Sequence, residues 1–565
     1  MLGGYGAFGS RICRLLARME DVAILIVGRD ARQAEALARE LKAEHAALDI
    51  AKPAALAALM ARRPDVVVNT IGPFQTADYR VAEACIEAGI HYTDLADSHQ
   101  FVAGLARLDG AARAKGVAVI TGASTVPALS GAVVAEAGLA PTSVRIGISP
   151  GNRAPRGSSL VQAVIGQAGR PLPLLRAGRW TTVPSWGEMQ RRRIRIDRDR
   201  GLGKRWLSAC DAPDLVLLPR RYPTLKAVEF YAGLELSLLH VGLWLLSLPV
   251  RLGWLQSLLP LYRPLHWIAD RLYGLGSDRG GMLVDVEGIN DDGRPMSYRW
   301  RLVAEKGQGP FVPAAPAAAL VARLARGETL PAGAYPCLDI LDLDEILAQV
   351  AHLPVFTLGR AKDRSDLFAL AMHRDFSRLP DPIRIIHSRQ QCASASGRCD
   401  VDRSANPLAL LIRALFRMPR AGRDLPVTVR FTQRGGTEHW ERDFSGRIMR
   451  SLLSRARIPG EITERFGAFV FTIRLRWDGT RLHYQIVKGK LFGIRLPRAL
   501  LPRVAAFEQV VDERFRFDVS LRVPLVGLLA HYRGWLTPDV MEVDIAPAPE
   551  MPTQMMTSGA AADRG

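Results

Sequence analysis

At 565 residues the chain is too long for one hydrophobic core, and its length predicts about three to five domains. Hydrophobic residues at 48% and charged residues at 23% are ordinary for a globular protein, so disorder as a general state is excluded. The formal charge of +19, mostly arginine spread over the whole length, reads either as solvated faces or as attraction to an anionic surface such as a membrane or a phosphorylated substrate; no zinc spacing, aromatic RNA-binding strand or helix-turn-helix points to nucleic acid.

The chain opens on Gly3-Gly4-Tyr5-Gly6-Ala7-Phe8-Gly9, with no basic and apolar leader ahead of it, so no signal peptide is expected. Gly4-x-Gly6-x-x-Gly9 has the spacing that dinucleotide-binding turns need: a tight bend, a close backbone approach to the pyrophosphate, and close helix–sheet packing. Ile12, Leu15 and Leu16 follow at helical spacing, then the apolar run Val22–Val27 of a strand buried on both faces. Nicotinamide enzymes that exclude a 2′-phosphate place an acid at the end of that strand. This chain has Gly28-Arg29, and a guanidinium there pairs with the phosphate, so the site is read for NADP(H) over NAD(H). Arg29 merely solvating a helix start is the alternative, since Asp30 and Gln33 form a capping box for a helix over 31–42. Asp49, after a short strand, is a candidate for the adenine amino group. A strand at 65–69, a helix over 78–88, a strand at 90–94, a helix over 98–114 and a strand at 117–121 complete a doubly wound parallel sheet. Only Met1-Leu2 precede the glycine turn, so the normally central first strand is expected to be truncated, a sign of a misplaced start or a shortened chain.

Four segments jointly resemble the saccharopine dehydrogenase-like oxidoreductases: Gly4-Tyr-Gly-Ala-Phe-Gly9, Val67-Val-Asn69-Thr-Ile-Gly72-Pro73-Phe74, Cys85-x-x-Ala-Gly89-x-His-Tyr92-Thr-Asp94, and Thr121-Gly-Ala-Ser124-x-Val126-Pro127. The resemblance covers roughly residues 1–135. It implies an NADP-binding Rossmann domain with Gly4, Gly6, Ala7, Phe8, Gly9, Arg29, Asp49, Asn69, Gly72 and Pro73 as cofactor-binding candidates. It also places Tyr92, Asp94 and Ser124 near the cleft as catalytic candidates. The family includes amino-acid dehydrogenases and enoyl reductases of lipid synthesis, so it implies the cofactor more strongly than the substrate.

Residues 136–357 read as an α+β substrate domain. Arg153 and Arg156 in a basic loop are candidates to clamp a carboxylate or phosphate, though solvated loop arginines are the commoner outcome. Alternation in 282–287 and 298–303 predicts a hairpin turning at Asp291-Asp-Gly293, and a helix at 315–326 is expected to return to the first domain. Within this domain the helical segment 230–273 is unusually apolar. Its 236–250 stretch carries no charge but is too short to span a bilayer and contains Pro249. Trp244, Trp254 and Trp267 with Arg251 and Arg263 read as interfacial anchoring, a peripheral membrane contact through 236–262; helices buried between domains are the alternative.

After residue 364 the pattern becomes strand-rich, predicting a domain over 365–543. About six antiparallel strands, hairpins at Arg434-Gly-Gly436 and Asp478-Gly479, and a helix near 497–507 suggest a curved sheet or half-barrel. Glu438-His-Trp-Glu-Arg442, Phe492–Pro497 and Tyr532-Arg-Gly534 resemble an uncharacterised bacterial domain often fused to this reductase type. The tail 544–565, rich in Pro, Ala and Met, is expected to be disordered. Six scattered cysteines without a C-x-x-C pair give no zinc or disulfide framework and fit a reducing cytoplasm. The expectation is an α/β chain: a cytoplasmic NADP(H)-dependent reductase acting on a hydrophobic or acyl substrate at a membrane surface. A saccharopine-type amino-acid dehydrogenase and a non-catalytic nucleotide-binding or membrane scaffold remain alternatives.

Overall fold

A computed structural model describes residues 1–540 apart from 156, 365, 389–391, 403–405, 416–417, 435–436 and 525. The tail 544–565, Arg156 and the Gly435-Gly436 turn therefore lie outside the described residues. Two compact units are formed, Met1–Asp363 and Arg364–Gly565.

In the first unit the apolar runs become parallel strands β1 (Leu25–Gly28), β2 (Glu44–Ala47), β3 (Val66–Asn69), β4 (His91–Asp94) and β5 (Ala118–Thr121). The chain then leaves to build a mixed sheet from β6 (Ala140–Ser149), β7 (Pro171–Arg176), β8 (Arg179–Pro184), β9 (Met189–Arg195), β10 (Gly201–Ala209), β11 (Ala227–Ala232), β12 (Gly280–Ile289) and β13 (Pro295–Ala304). It returns to lay β14 (Gly333–Pro336) parallel to β5, and β15 (Val355–Asp363) then pairs with β13. The mixed sheet runs β15-β13-β12-β6-β11-β10-β9, with the β7–β8 hairpin attached to β11. Gly293 turns the β12–β13 hairpin at a φ of +74°. The helix Ala315–Ala325 packs on the helix Gly9–Leu16, the expected return.

The shortage at the centre of the parallel sheet takes a definite form. Leu2 alone bridges both neighbours in parallel, opposite Val27 and Asn69, giving the order β2-β1-Leu2-β3-β4-β5-β14. Backbone bonds close the seam, among them Leu2 N–H to Val68 O and Gly3 N–H to Val27 O, each 2.9 Å, Val27 N–H to Met1 O at 2.9 Å, and Thr70 N–H to Leu2 O at 3.0 Å. These lie at the carboxyl ends of β1 and β3, the end from which the glycine turn departs, and the Leu2 side chain is fully buried.

The helix expected over 98–114 is broken into His99–Gly104, a 3-10 turn Leu105–Leu108, and Asp109–Ala114. Tyr79 lies against the break: its hydroxyl donates to the Phe101 carbonyl (2.9 Å), and a Cβ on Gly104 would sit 2.3 Å from that hydroxyl.

The second unit holds more strands than its alternation suggests. They are β16 (Cys392–Val401), β17 (Gly422–Arg434), β18 (Thr437–Phe444), β19 (Arg447–Arg455), β20 (Glu461–Phe466), β21 (Phe469–Trp477), β22 (Arg481–Leu491), β23 (Ile494–Arg495), β24 (Arg503–Val511), β25 (Arg514–Val523) and β26 (Gly527–Val540). All pairs are antiparallel, and β21–β22 pairing joins the two ends of the order β21-β20-β19-β18-β17-β16-β26-β25-β24-β22. The half-barrel expectation is thereby corrected to a closed barrel, which removes the open edges a curved sheet would expose. The helix expected near 497–507 is also corrected: a short turn at Arg498–Leu500 leads into β24, whose Ala506, Glu508 and Val510 face the same side as Val519, Phe517 and Phe515 of β25. A barrel closing on both sides of this segment overrides its weak helical pattern.

Candidate functional site

The glycine turn is a cradle that side chains would fill. Gly3 has a φ of +67°, and Gly6 N–H donates to its carbonyl at 2.8 Å. A Cβ on Gly9 would lie 2.3 Å from the Gly3 carbonyl oxygen and 2.8 Å from Thr70 Oγ1. On Gly6 it would meet only the Gly3 carbonyl, at 3.0 Å, so this glycine keeps its open side for an approaching diphosphate. Ala7 and Phe8 carry the backbone into the helix Gly9–Leu16, where Ser10 N–H donates to the Gly6 carbonyl and Arg11 and Ile12 N–H to the Phe8 carbonyl, each at 3.0 Å; the Ala7 carbonyl is held by Arg11 Nη1 (2.8 Å). Thr70 Oγ1 donates to Leu2 O at 2.8 Å and fastens the turn to the neighbouring strand end.

At the end of β1, Tyr5 lies flat on Gly28, where a Cβ would come within 2.1 Å of its ring, and the Tyr5 hydroxyl accepts from Asp30 N–H at 3.0 Å. Asp30 caps the helix Ala31–Leu41, accepting from Gln33 N–H and Nε2 at 3.1 and 2.9 Å. The neighbouring acid is thereby engaged, while Arg29 is exposed and has no hydrogen bond or ion pair among the described residues. Asp49 follows β2 on the same edge and accepts from Ala51 N–H at 3.3 Å.

On the other side of the seam, Asn69 Oδ1 accepts from Ile71 N–H (3.0 Å) and its Nδ2 donates to the Tyr92 hydroxyl (3.2 Å), just before the cis Gly72–Pro73 bond. Tyr92 and Asp94 are both buried beneath the strand ends. One oxygen of Asp94 accepts from Thr121 Oγ1 (2.8 Å), Gly122 N–H (2.9 Å) and Ala96 N–H (2.9 Å), which ties β4 to β5. Burial raises this carboxyl to about 6 against those bonds, and burial followed by the Asp94 charge raises the Tyr92 phenol. Ser124 is half-buried at the start of the kinked segment Thr125–Leu129. Tyr92, Asp94 and Asn69 thus form one connected network, and Ser124 stands apart from it.

The fold also assembles a group that motif reading missed. His99 Nδ1 lies 2.7 and 2.8 Å from the two carboxylate oxygens of Asp211, 112 residues away in the inserted region. Asp211 is 8% exposed and the imidazole 25%, so the carboxylate forms the inner end of the pair. Burial disfavours the imidazolium, but the Asp211 hydrogen bond and charge outweigh it and raise the His99 pKa. Behind them, burial and then the nearby Asp211 charge push Asp97 up to about 6, and Gln75 Nε2 donates to it at 3.2 Å. Gln75, Asp97 and His99 all follow the carboxyl ends of β3 and β4, the edge where open α/β sheets bind ligands. Asp94-x-x-Asp97-x-His99 was the available signal; Asp211 left none.

The basic loop after β6 reaches this edge too: a Cβ on Gly157 would lie 3.5 Å from that of Ala7. Arg153 donates through Nε and Nη2 to the Gly276 carbonyl at 3.1 and 2.7 Å, so its guanidinium is latched to a neighbouring turn. Among the described residues no cluster of metal-ligating side chains occurs.

Residues 1–124 match the saccharopine dehydrogenase NADP binding domain family, and residues 379–536 match a domain of unknown function, DUF4166. Solved structures similar to the chain include apo saccharopine dehydrogenase (L-Glu forming) from Saccharomyces cerevisiae, at 14% identity and TM-score 0.46, covering 64% of this chain and 98% of that one. Another is the homospermidine synthase of Legionella pneumophila in complex with NAD, at 11% identity and TM-score 0.43, covering 64% and 91%. No curated protein matches the sequence significantly. The chain thus joins a saccharopine dehydrogenase-type NADP-binding domain at its N-terminus to a DUF4166 domain toward its C-terminus.

Proposed function

We propose that the first unit is an NADP(H)-dependent oxidoreductase that reduces a hydrophobic or acyl substrate at a membrane surface. The observation that carries the cofactor choice is Arg29, exposed and without a partner among the described residues at the carboxyl end of β1, beside a glycine cradle in which Gly9 has no room for a side chain. Gly4, Gly6 and Gly9 would hold the diphosphate against the helix start, Arg29 the 2′-phosphate and Asp49 the adenine edge, with Asn69, Gly72 and Pro73 on the nicotinamide side. The bound cofactor would supply a hydride. His99 suits the accompanying proton. Asp211 holds one ring nitrogen and favours the imidazolium, which leaves Nε2 as the donor, while Tyr92 and Asp94 are buried inside the sheet.

NADPH oxidation tests this with enoyl, keto and imino acceptors of increasing chain length presented in vesicles of phosphatidylcholine mixed with phosphatidylglycerol. Turnover should favour long apolar acceptors, and His99→Gln should lower kcat by about a hundredfold with NADPH affinity unchanged. In Asp211→Asn the protonated-histidine limb of the pH profile should move to lower pH. Preference for an imino dicarboxylate would favour the amino-acid dehydrogenase instead, and an unaltered kcat in His99→Gln would remove His99 from the reaction.

A further inference from the structure

The apolar helices Ser237–Leu246, Leu248–Arg251 and Tyr262–Arg271 form a lobe closed at its root. Glu235, just before it, accepts from Ser277 N–H (2.9 Å) and Oγ (2.7 Å), just after it, and from Asn152 N–H (2.6 Å) and Arg205 Nη2 (2.8 Å). One side of the lobe is ordinary core: Leu243 and Leu258 are buried with Ile165, Ala168 and Trp186, and Trp244 Nε1 donates to Gly187 O at 2.7 Å. The other side is uncovered. Leu238, Trp254 and Trp267 are 73%, 74% and 60% exposed, and Leu245, Leu252 and Leu259 are exposed with them. Most of the exposed large apolar side chains among the described residues lie between Leu238 and Leu275.

Charge says what covers this face. The lobe holds three arginines, Arg251, Arg263 and Arg271, and one acid, Asp270, which lies 3.3 Å from His266. Arg271 sits over the Trp267 ring at 5.0 Å on the uncovered side, while Arg251 donates to the Trp186 carbonyl (3.0 Å) on the packed side. Arg263, Trp267 and Arg271 recur every four residues along one stripe of their helix. Tryptophan flanked by guanidinium is the pairing that suits headgroup depth, where the ring meets acyl carbon and the cation meets phosphate. A second copy of the chain would instead bring this excess of cations against itself. Among the described residues no helix is long and apolar enough to cross a membrane.

We propose that this lobe docks monotopically on an anionic phospholipid bilayer, inserting Trp254, Trp267 and the surrounding leucines while Arg263 and Arg271 engage lipid phosphates. This deepens the membrane-surface part of the reading above, and its test involves no turnover. The root also bears on the site: Arg153, latched to Gly276, and the Tyr273 hydroxyl, which donates to Arg153 O at 2.8 Å, link the lobe to the loop that approaches Ala7.

Flotation of the full chain with vesicles of phosphatidylcholine, alone or mixed with phosphatidylglycerol, tests the proposal beside size-exclusion chromatography with light scattering. The chain should float with the anionic vesicles. Trp254→Ser/Trp267→Ser should abolish this without changing the thermal unfolding profile, and each of Arg263→Gln and Arg271→Gln should weaken it roughly fivefold. No flotation, unchanged flotation of the tryptophan variant, or equal binding to neutral vesicles would overturn the proposal. So would a wild-type dimer that the tryptophan substitutions convert to monomer.

Discussion

Asp214 shows how much a single buried group can govern. It is fully buried at the start of the helix Asp214–Arg221, with one oxygen 2.5 Å from Ser130 Oγ, and burial raises its carboxyl to about 7. The unfolded chain releases this proton near the ordinary value of about 3.9, so between there and about 7 the folded state binds more protons than the unfolded state. Stability therefore falls as pH rises through that window. Asp214→Asn should raise Tm, by an increment that grows from about pH 5 to about pH 8 and corresponds to a few kcal/mol at the upper end. Thermal scans across that range check it; an increment that shrinks with pH would contradict the assignment. Hydrogen bonding separates Asp94 from His99. One oxygen of Asp94 is buried under three donors, and Asp94→Ala should cost stability by leaving them without an acceptor, whereas His99→Gln should leave Tm nearly unchanged because the ring is partly exposed.

At the scale of elements, the glycine turn and the barrel set opposite demands on the chain. Gly9→Ala would drive a methyl into the Gly3 carbonyl, so NADPH affinity should fall at least tenfold, readable by fluorescence titration, while the barrel strands of the second unit keep their far-UV signature. In the barrel, a Cβ on Gly397 would lie 1.9 Å from the Trp535 carbonyl of the adjoining strand; Gly397→Val should unfold or sharply destabilise the second unit, by circular dichroism and thermal melting. Much of the parallel sheet was legible because doubly buried strands such as Val66–Asn69 are continuous apolar runs and the glycine spacing is local. Arg29, Asp30 and Gln33 were legible for the same reason, lying within one turn of each other. The barrel was legible only in pieces. The β21–β22 hairpin is marked by its Asp478-Gly479 turn, but closure also depends on β16 meeting β26, more than a hundred residues away, and no local pattern encodes that pairing. His99–Asp211 was hidden likewise, because a dyad spanning an inserted sheet has no spacing to read.

For the molecule as a whole, the family matches fall one in each compact unit, and the charge of +19 belongs to both. A ligand that binds only the folded first unit should raise the melting temperature of that unit alone, by an amount that grows with the logarithm of its concentration. Calorimetry with increasing NADPH should therefore shift one transition and leave another in place; a common shift of the entire endotherm would mean that the units unfold together. The docking proposed for the apolar lobe would add a second whole-molecule property, partition to anionic surfaces.

The central claim is that residues 1–124 hold NADP(H) through the glycine cradle and Arg29. Fluorescence titration of the full-length protein with NADPH and NADH, repeated with Arg29→Ala, measures it directly. NADPH should bind more tightly than NADH, and the substitution should cost NADPH about ten- to a hundredfold, the worth of a charge-assisted contact, while barely altering NADH. Equal affinities for the two cofactors in the native protein, or a loss for both in the variant, would contradict the account.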